Sequence, residues 1–153
     1  MLQAQNVQFQ AYDLPVEKLS AVETAQFLEV SPNIVYKTIV VKREGTKKHL
    51  LILVPGTAEV DLKQVAQAFD DRKVHLATAR EAESITGLQV GGISPLALIN
   101  RGFQLLVDSS AQQLDEIHIS GGQRGLNIRI AVADLMRLTG GRFADVGRRD
   151  IDQ

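Results

Sequence analysis

The chain has 153 residues, 44% of them hydrophobic and 23% charged. That is enough for one domain burying roughly two thirds of its unfolded surface, and the composition excludes disorder and fibrous architecture. Cysteine is absent, which removes disulfides, thiolate zinc sites and a cysteine nucleophile together and is compatible with a reducing compartment. The net charge is −1, so a broad basic track for nucleic acid is excluded, while a small basic pocket is not.

The first ten residues, MLQAQNVQFQ, lack the charged start and apolar stretch of a signal peptide. No later run is long enough to cross a bilayer, so a cytoplasmic protein with no membrane partner is expected. Val7, Phe9 and Ala11 alternate with polar residues and predict a strand that Pro15 closes. Leu19, Val22, Ala25 and Leu28 recur at helical spacing and predict a helix from Val16 to about Val30, stopped by Ser31-Pro32-Asn33. Ile34 to Lys42 and His49 to Val54, joined by a polar turn, predict a hairpin of well-buried strands.

Asp61 is an N-cap for a helix turning Leu62, Val65, Ala66 and Phe69 inward. Val74 to Leu76 predicts a short strand, and Arg80 to Thr86 a helix ended by Gly87. Beyond Gly91-Gly92, strands are predicted at Phe103 to Val107, Ile117 to Ser120 and Leu126 to Ile130, then a helix from Ala133 to Thr139 before Gly140-Gly141. Strands paired locally, with helices interspersed but not strictly alternating, imply an α+β fold and not a doubly wound parallel sheet.

Several chemistries are missing. His49, His75 and His118 are isolated in sequence, so no metal or cofactor is expected. His118 between Ile117 and Ile119 reads as a solvated residue on the opposite face from them. There is no GxSxG elbow, P-loop or GxGxxG.

Three stretches remain as candidates. Lys37, at the mouth of the apolar strand YKTIVV, either lays its stem along apolar surface with the ammonium in water or offers a fixed cation to a carbonyl or phosphate. Gly91-Gly92-Ile93-Ser94-Pro95 is either a tight turn or a loop whose amides approach a ligand and stabilise an oxyanion. Ser120-Gly121-Gly122-Gln123-Arg124-Gly125 is either a hairpin turn or an anion nest.

Taken in order, Tyr12, VYKTIVV, VDLKQVAQAF, TGLQVGGISPL, Val107-Asp108, ISGGQRGLNIRI and FADVGRRD resemble the YbaK/EbsC family of aminoacyl-tRNA deacylases over nearly the whole chain. The resemblance implies a single domain spanning residues 1–153, with a curved mixed β-sheet or barrel-like core surrounded by helices. It implies catalytic roles for Lys37, Gly91 and Gly92, and substrate contacts from Tyr12, Ile93, Ser94, Pro95, Ser120, Gly121, Arg124 and Asn127. Asn127 stands where sequences of this kind often carry an acid, keeping an acceptor without the charge.

The activity implied is trans-editing of Cys-tRNA(Pro), with Cys-tRNA(Cys) a further substrate, in which the substrate's own thiol attacks its ester. The alternatives are hydrolysis of Ala-tRNA(Pro) or another small aminoacyl ester by water, and a non-catalytic module binding acceptor ends or a synthetase. The implied partners are the acceptor end of aminoacyl-tRNA and prolyl-tRNA synthetase.

Overall fold

The computed structural model describes residues 9–15, 19–44, 48–99 and 101–148. In chain order its strands are β1 (Phe9–Asp13), β2 (Tyr36–Arg43), β3 (Leu50–Pro55), β4 (Glu59–Val60), β5 (Val74–Leu76), β6 (Gln104–Asp108), β7 (Glu116–Ser120), β8 (Leu126–Ala131), β9 (Arg142–Ala144) and β10 (Gly147–Arg148). The helices are α1 (Ala21–Leu28), α2 (Leu62–Ala68), α3 (Ala79–Thr86) and α4 (Val132–Thr139).

The predicted hairpin forms the centre of a five-stranded sheet ordered β5-β2-β3-β6-β9. β2 pairs antiparallel with β3 and β5, whereas β3–β6 and β6–β9 are parallel. Every residue of β3 is buried, as a continuous apolar run implies for a strand covered on both faces. The alternation divides its side chains between two cores. Leu51 and Leu53 join Leu105 and Val107 on one face, while Leu50, Ile52 and Val54 join Leu106, Val65 and Val74 on the other. Each such side chain stabilises the fold by about 1.5–3 kcal/mol relative to exposure.

A second sheet of three antiparallel strands has the order β1-β8-β7. Phe9, Ile117, Ile119, Ile128 and Ile130 face the core shared with Leu51 and Leu53. The opposite face is polar, carrying Tyr12, His118, Ser120, Asn127 and Arg129 at positions fixed by the register. A bridge between Val35 and His118 joins this sheet to the approach to β2. Strands β4 and β10 form a separate two-stranded pair. The mixed pairing agrees with expectation, but the sheets do not close into a barrel: the described strands fall into three separate sheets.

The helices follow their caps. Ser20 accepts from the Glu23 amide while the Glu23 carboxylate accepts from the Ser20 amide, a reciprocal cap that starts α1 at Ala21, five residues later than the predicted Val16. Of the predicted inward face only Ala25 is buried and Val22 is exposed, because Thr24 and Ala25 face the interior instead. Thr78 and Glu81 cap α3 in the same way, and Asp61 caps α2 as expected. Val7 and residues 16–18 lie outside the described residues.

Strands β4, β9 and β10 were not predicted. The chain end is held by Asp108, 8% exposed, whose carboxylate accepts from the amides of Val146, Gly147 and Ser110. A long-range clamp of this kind leaves no periodic trace in two- or three-residue strands.

Candidate active site

Where β2 begins, the GG loop, the β7–β8 loop and the start of α1 enclose a cavity of about 260 Å³. This lies just under the roughly 300–1,000 Å³ of pockets that envelop drug-sized ligands, a size suited to a small terminal group. Lys37, Gly91, Ile93, Ser120 and Asn127 all line it, so three segments far apart in sequence meet there. Lys37 and Gly91 thus both contribute to the cavity wall.

The other sequence-predicted residues support this wall without lining it. Gly92 lies against the β7–β8 loop so closely that a Cβ would sit 2.8 Å from backbone atoms of Gln123 and Arg124. Glycine is needed there for close approach, and at Gly91 for its φ of +93°. Arg124 donates from Nε to the Val90 carbonyl at 2.7 Å, tying the two loops together. Ser94 is fully buried, its Oγ accepting from the Leu96 amide, and Pro95 is buried beside it. Tyr12 pairs in register with Asn127 and donates its hydroxyl hydrogen to Gln10.

The backbone donors are partly committed. The Gly92 amide donates to Gln89 O at 2.7 Å. In the β7–β8 loop the Gly121 and Leu126 amides donate to Leu126 O and Gln123 O, and the Gly122 amide donates to Ser120 Oγ. The loop's internal bonding thus takes donors an anion nest would need, and it resembles a closed hairpin more than an open nest. Gly91 and Ile93 are the GG-loop residues at the cavity itself.

Sequence reasoning missed several lining residues: Leu14, Pro15, Leu19, Ser20, Thr24, Val35, Tyr36, Thr38, Ile39, Val90, Gly125 and Leu126. Tyr36 and Thr38 sit inside the YKT stretch already singled out, and Ser20 is marked by its capping pattern with Glu23. Thr38 Oγ1 is buried without a hydrogen-bond partner. Tyr36 is fixed through its hydroxyl, 2.7 Å from Ser110 Oγ.

His118 is the main correction to the sequence reading. It is only 2% exposed, because the second face of β7 is covered by the Tyr12 ring, 5.6 Å away between centroids, and by the Val35 segment. Its Nδ1 lies 2.8 Å from Asn127 Oδ1, and its Nε2 is buried without a partner. Burial holds its pKa below the ordinary value, against the opposing hydrogen bond to Asn127, so the ring is neutral at physiological pH. Glu23, at the start of α1, is held below its usual carboxyl range by the Ser20 amide and then by the Ser20 hydroxyl.

The chemistry available is therefore a cation, backbone amides and hydroxyls in a small cleft. The lining hydroxyls of Ser20 and Ser120 accept from backbone amides, and the carboxylate that the Ser20 hydroxyl meets is that of its capping partner Glu23. Among the described residues no three His, Asp or Glu side chains gather as a metal ion requires, and no helix is long and apolar enough to cross a membrane.

Known proteins resemble this chain in sequence and in fold. The chain is 30% identical over 152 residues, 98% of its length and 92% of the relative's, to EbsC of Enterococcus faecalis, a candidate Cys-tRNA(Pro)/Cys-tRNA(Cys) deacylase. It is 26% identical over 99 residues, 64% of its length and 59% of the relative's, to the multifunctional Ser/Thr-tRNA deacylase ProXp-y of Escherichia coli. Its fold superposes with a TM-score of 0.80 on the crystal structure of a candidate trans-editing enzyme for prolyl tRNA synthetase, at 26% identity and covering 92% of this chain and 87% of that one. The aminoacyl-tRNA editing domain model matches residues 16–138, and the chain belongs to that family.

Proposed function

We propose that this editing-family enzyme removes a mischarged small amino acid from tRNA, and that its preferred substrate is Cys-tRNA(Pro), with prolyl-tRNA synthetase as the partner that presents it. The observation carrying the proposal is the meeting of Lys37, the GG loop and Asn127 around one small cavity. Similarity to EbsC over almost the whole length of both chains supports the choice of cysteine.

A synthetase pocket for proline discriminates poorly against small apolar competitors, since a methylene is worth only about 1–3 kcal/mol. Editing supplies the remainder. The attacking group is the substrate's own thiol: sulfur bonds to the carbonyl carbon, the bond from that carbon to the ribose oxygen breaks, and the ribose oxygen takes up the thiol's proton. The cyclic thioester then opens in water. The protein's contribution is placement, which holds sulfur near the carbonyl, together with Lys37 and the Gly91 and Ile93 amides set around the developing oxyanion. The near-neutral charge accords with recruitment by a synthetase, because such a chain gains little affinity from the tRNA backbone alone.

A second reading, hydrolysis of seryl or threonyl esters, is favoured by the similarity to ProXp-y. A deacylation panel of Cys, Ala, Ser, Thr and Pro esters on tRNA(Pro), run with wild type and Lys37→Ala, decides between them. Rapid release of cysteine that depends on Lys37 is the expected result. Preferential release of serine or threonine replaces the substrate assignment, and undiminished turnover by Lys37→Ala ends the assigned role of the lysine.

A further inference from the structure

The polar face of the three-stranded sheet holds a buried pair whose histidine the proposed chemistry does not use. Asn127 is 4% exposed and His118 2%. They sit diagonally on the same face of neighbouring antiparallel strands, two residues out of direct register, since Ser120 faces Asn127 and Arg129 faces His118. Asn127 also lines the cavity. Its Oδ1 is occupied by His118 Nδ1 at 2.8 Å, which leaves the amide nitrogen as its remaining polar group.

We propose that His118 is a positioning residue, which donates from Nδ1 to Asn127 Oδ1 and thereby turns the Asn127 NH2 group toward the aminoacyl end of the cavity as a fixed donor. The assignment rests on the deacylase reading above. A side-chain amide is nearly symmetric in shape, and only its hydrogen bonds decide which end faces a ligand. A neutral imidazole carries one N–H, so donation from Nδ1 leaves Nε2 as a bare acceptor. Nε2 is the atom found buried without a partner, and an orphaned acceptor is better tolerated in an interior than an orphaned N–H.

The alternative arrangement, with the Asn127 amide donating to Nδ1, strands a buried N–H at Nε2 and turns a carbonyl to the cavity. A fixed donor at the wall selects substrate acceptors: the ester carbonyl, or the lone pairs of a side-chain sulfur or oxygen. An alanyl ester offers only the first. Asn127 therefore contributes to discrimination between heteroatom-bearing and plain aminoacyl groups.

Two measurements test the assignment. Long-range proton–nitrogen NMR of the ¹⁵N-labelled protein reads the imidazole tautomer independently of activity. Protonation at Nδ1 is expected, and a neutral ring protonated at Nε2 overturns the proposal. Kinetics supply the second test. His118→Leu removes the donor and is expected to lower kcat/KM for the preferred ester about tenfold, the worth of one hydrogen bond, with a smaller loss for the alanyl ester.

His118→Asn, whose amide nitrogen can take the place of Nδ1, is expected to restore most of that loss. In an Asn127→Ala background His118→Leu should add nothing. Equal losses in both backgrounds, or a fall in melting temperature with kcat/KM intact, would show a structural histidine only. Should wild type release no amino acid from any charged tRNA, the deacylase reading falls by itself, and the tautomer still decides whether the pair is set as proposed. The groups facing the ring in a pH profile are Tyr12 on β1, Glu116 on its own strand and Arg129 on β8.

Discussion

The two larger sheets use buried surface differently. In the five-stranded sheet β3 is apolar and covered on both faces, so its interior contributes cohesion and its chemistry is confined to one end, where Lys37 stands opposite Val54. The three-stranded sheet commits one face to the core and keeps the other polar, with Tyr12, His118 and Asn127 packed together. A sheet buried on both sides makes a rigid wall. One with a polar second face can aim hydrogen bonds, at the cost of leaving a polar atom such as His118 Nε2 without a partner.

Substitutions should divide along the same line. Leu51→Ala, at a position 2% exposed in the centre of β3, is expected to cost about 2–5 kcal/mol of stability, with deacylation per folded molecule unchanged. Denaturant unfolding beside active-site-normalised rates checks it, and a specific loss of rate would blur the division between wall and site. Lys37→Ala should do the reverse, lowering kcat/KM about a hundredfold, as loss of one oxyanion donor does, at a nearly constant melting temperature.

Gly92→Ala tests the seam between the GG loop and the β7–β8 loop. Its Cβ would meet backbone atoms of Gln123 and Arg124 at 2.8 Å, so the loops must part, at about 1–3 kcal/mol, and activity should fall with stability. A variant with unaltered melting and turnover would mean that the loops are not pressed together. The smallest effect belongs to the surface at the far edge of the five-stranded sheet. There Glu81, pulled down to about 2 by its hydrogen bond from Lys42 and then by the Thr78 amide, accepts from both groups.

Because the folded pKa of Glu81 lies below the ordinary value of 4.5, its contribution is complete above that pH and disappears as pH falls through about 2. Glu81→Gln keeps the cap, since glutamine serves in a capping box, but loses the charge. A slightly lower melting temperature is expected at pH 6, with the difference vanishing toward pH 2. A gap that widens on acidification would reverse the sign of the argument. The ion pair is largely solvated, so only a small shift is in play.

What local pattern can carry was readable. The β2–β3 hairpin follows from the runs Ile39-Val40-Val41 and Leu50-Leu51-Ile52-Leu53, and α2 from Asp61 and its apolar face. The start of α1 was misplaced because its spacing continues upstream of Ser20, whereas the reciprocal bonds of Ser20 and Glu23 decide where the helix begins. His118 was misread for a related reason. Alternation places it opposite Ile117 and Ile119, but it is Tyr12 on β1 and the Val35 bridge that close water out of that face.

By itself the sequence determined most of the strands and helices, the family, and the candidate stretches around Lys37, the GG loop and Asn127, because residue spacing and glycine placement act within a few residues of chain. Only the tertiary structure decided that Arg124 ties loop to loop through Val90, that Asp108 secures the β10 end, and that a histidine lies buried behind the cavity wall. Those outcomes depend on which distant segment covers a face or supplies a partner. A one-dimensional pattern records that a residue is polar, and the fold determines whether water or another side chain answers it.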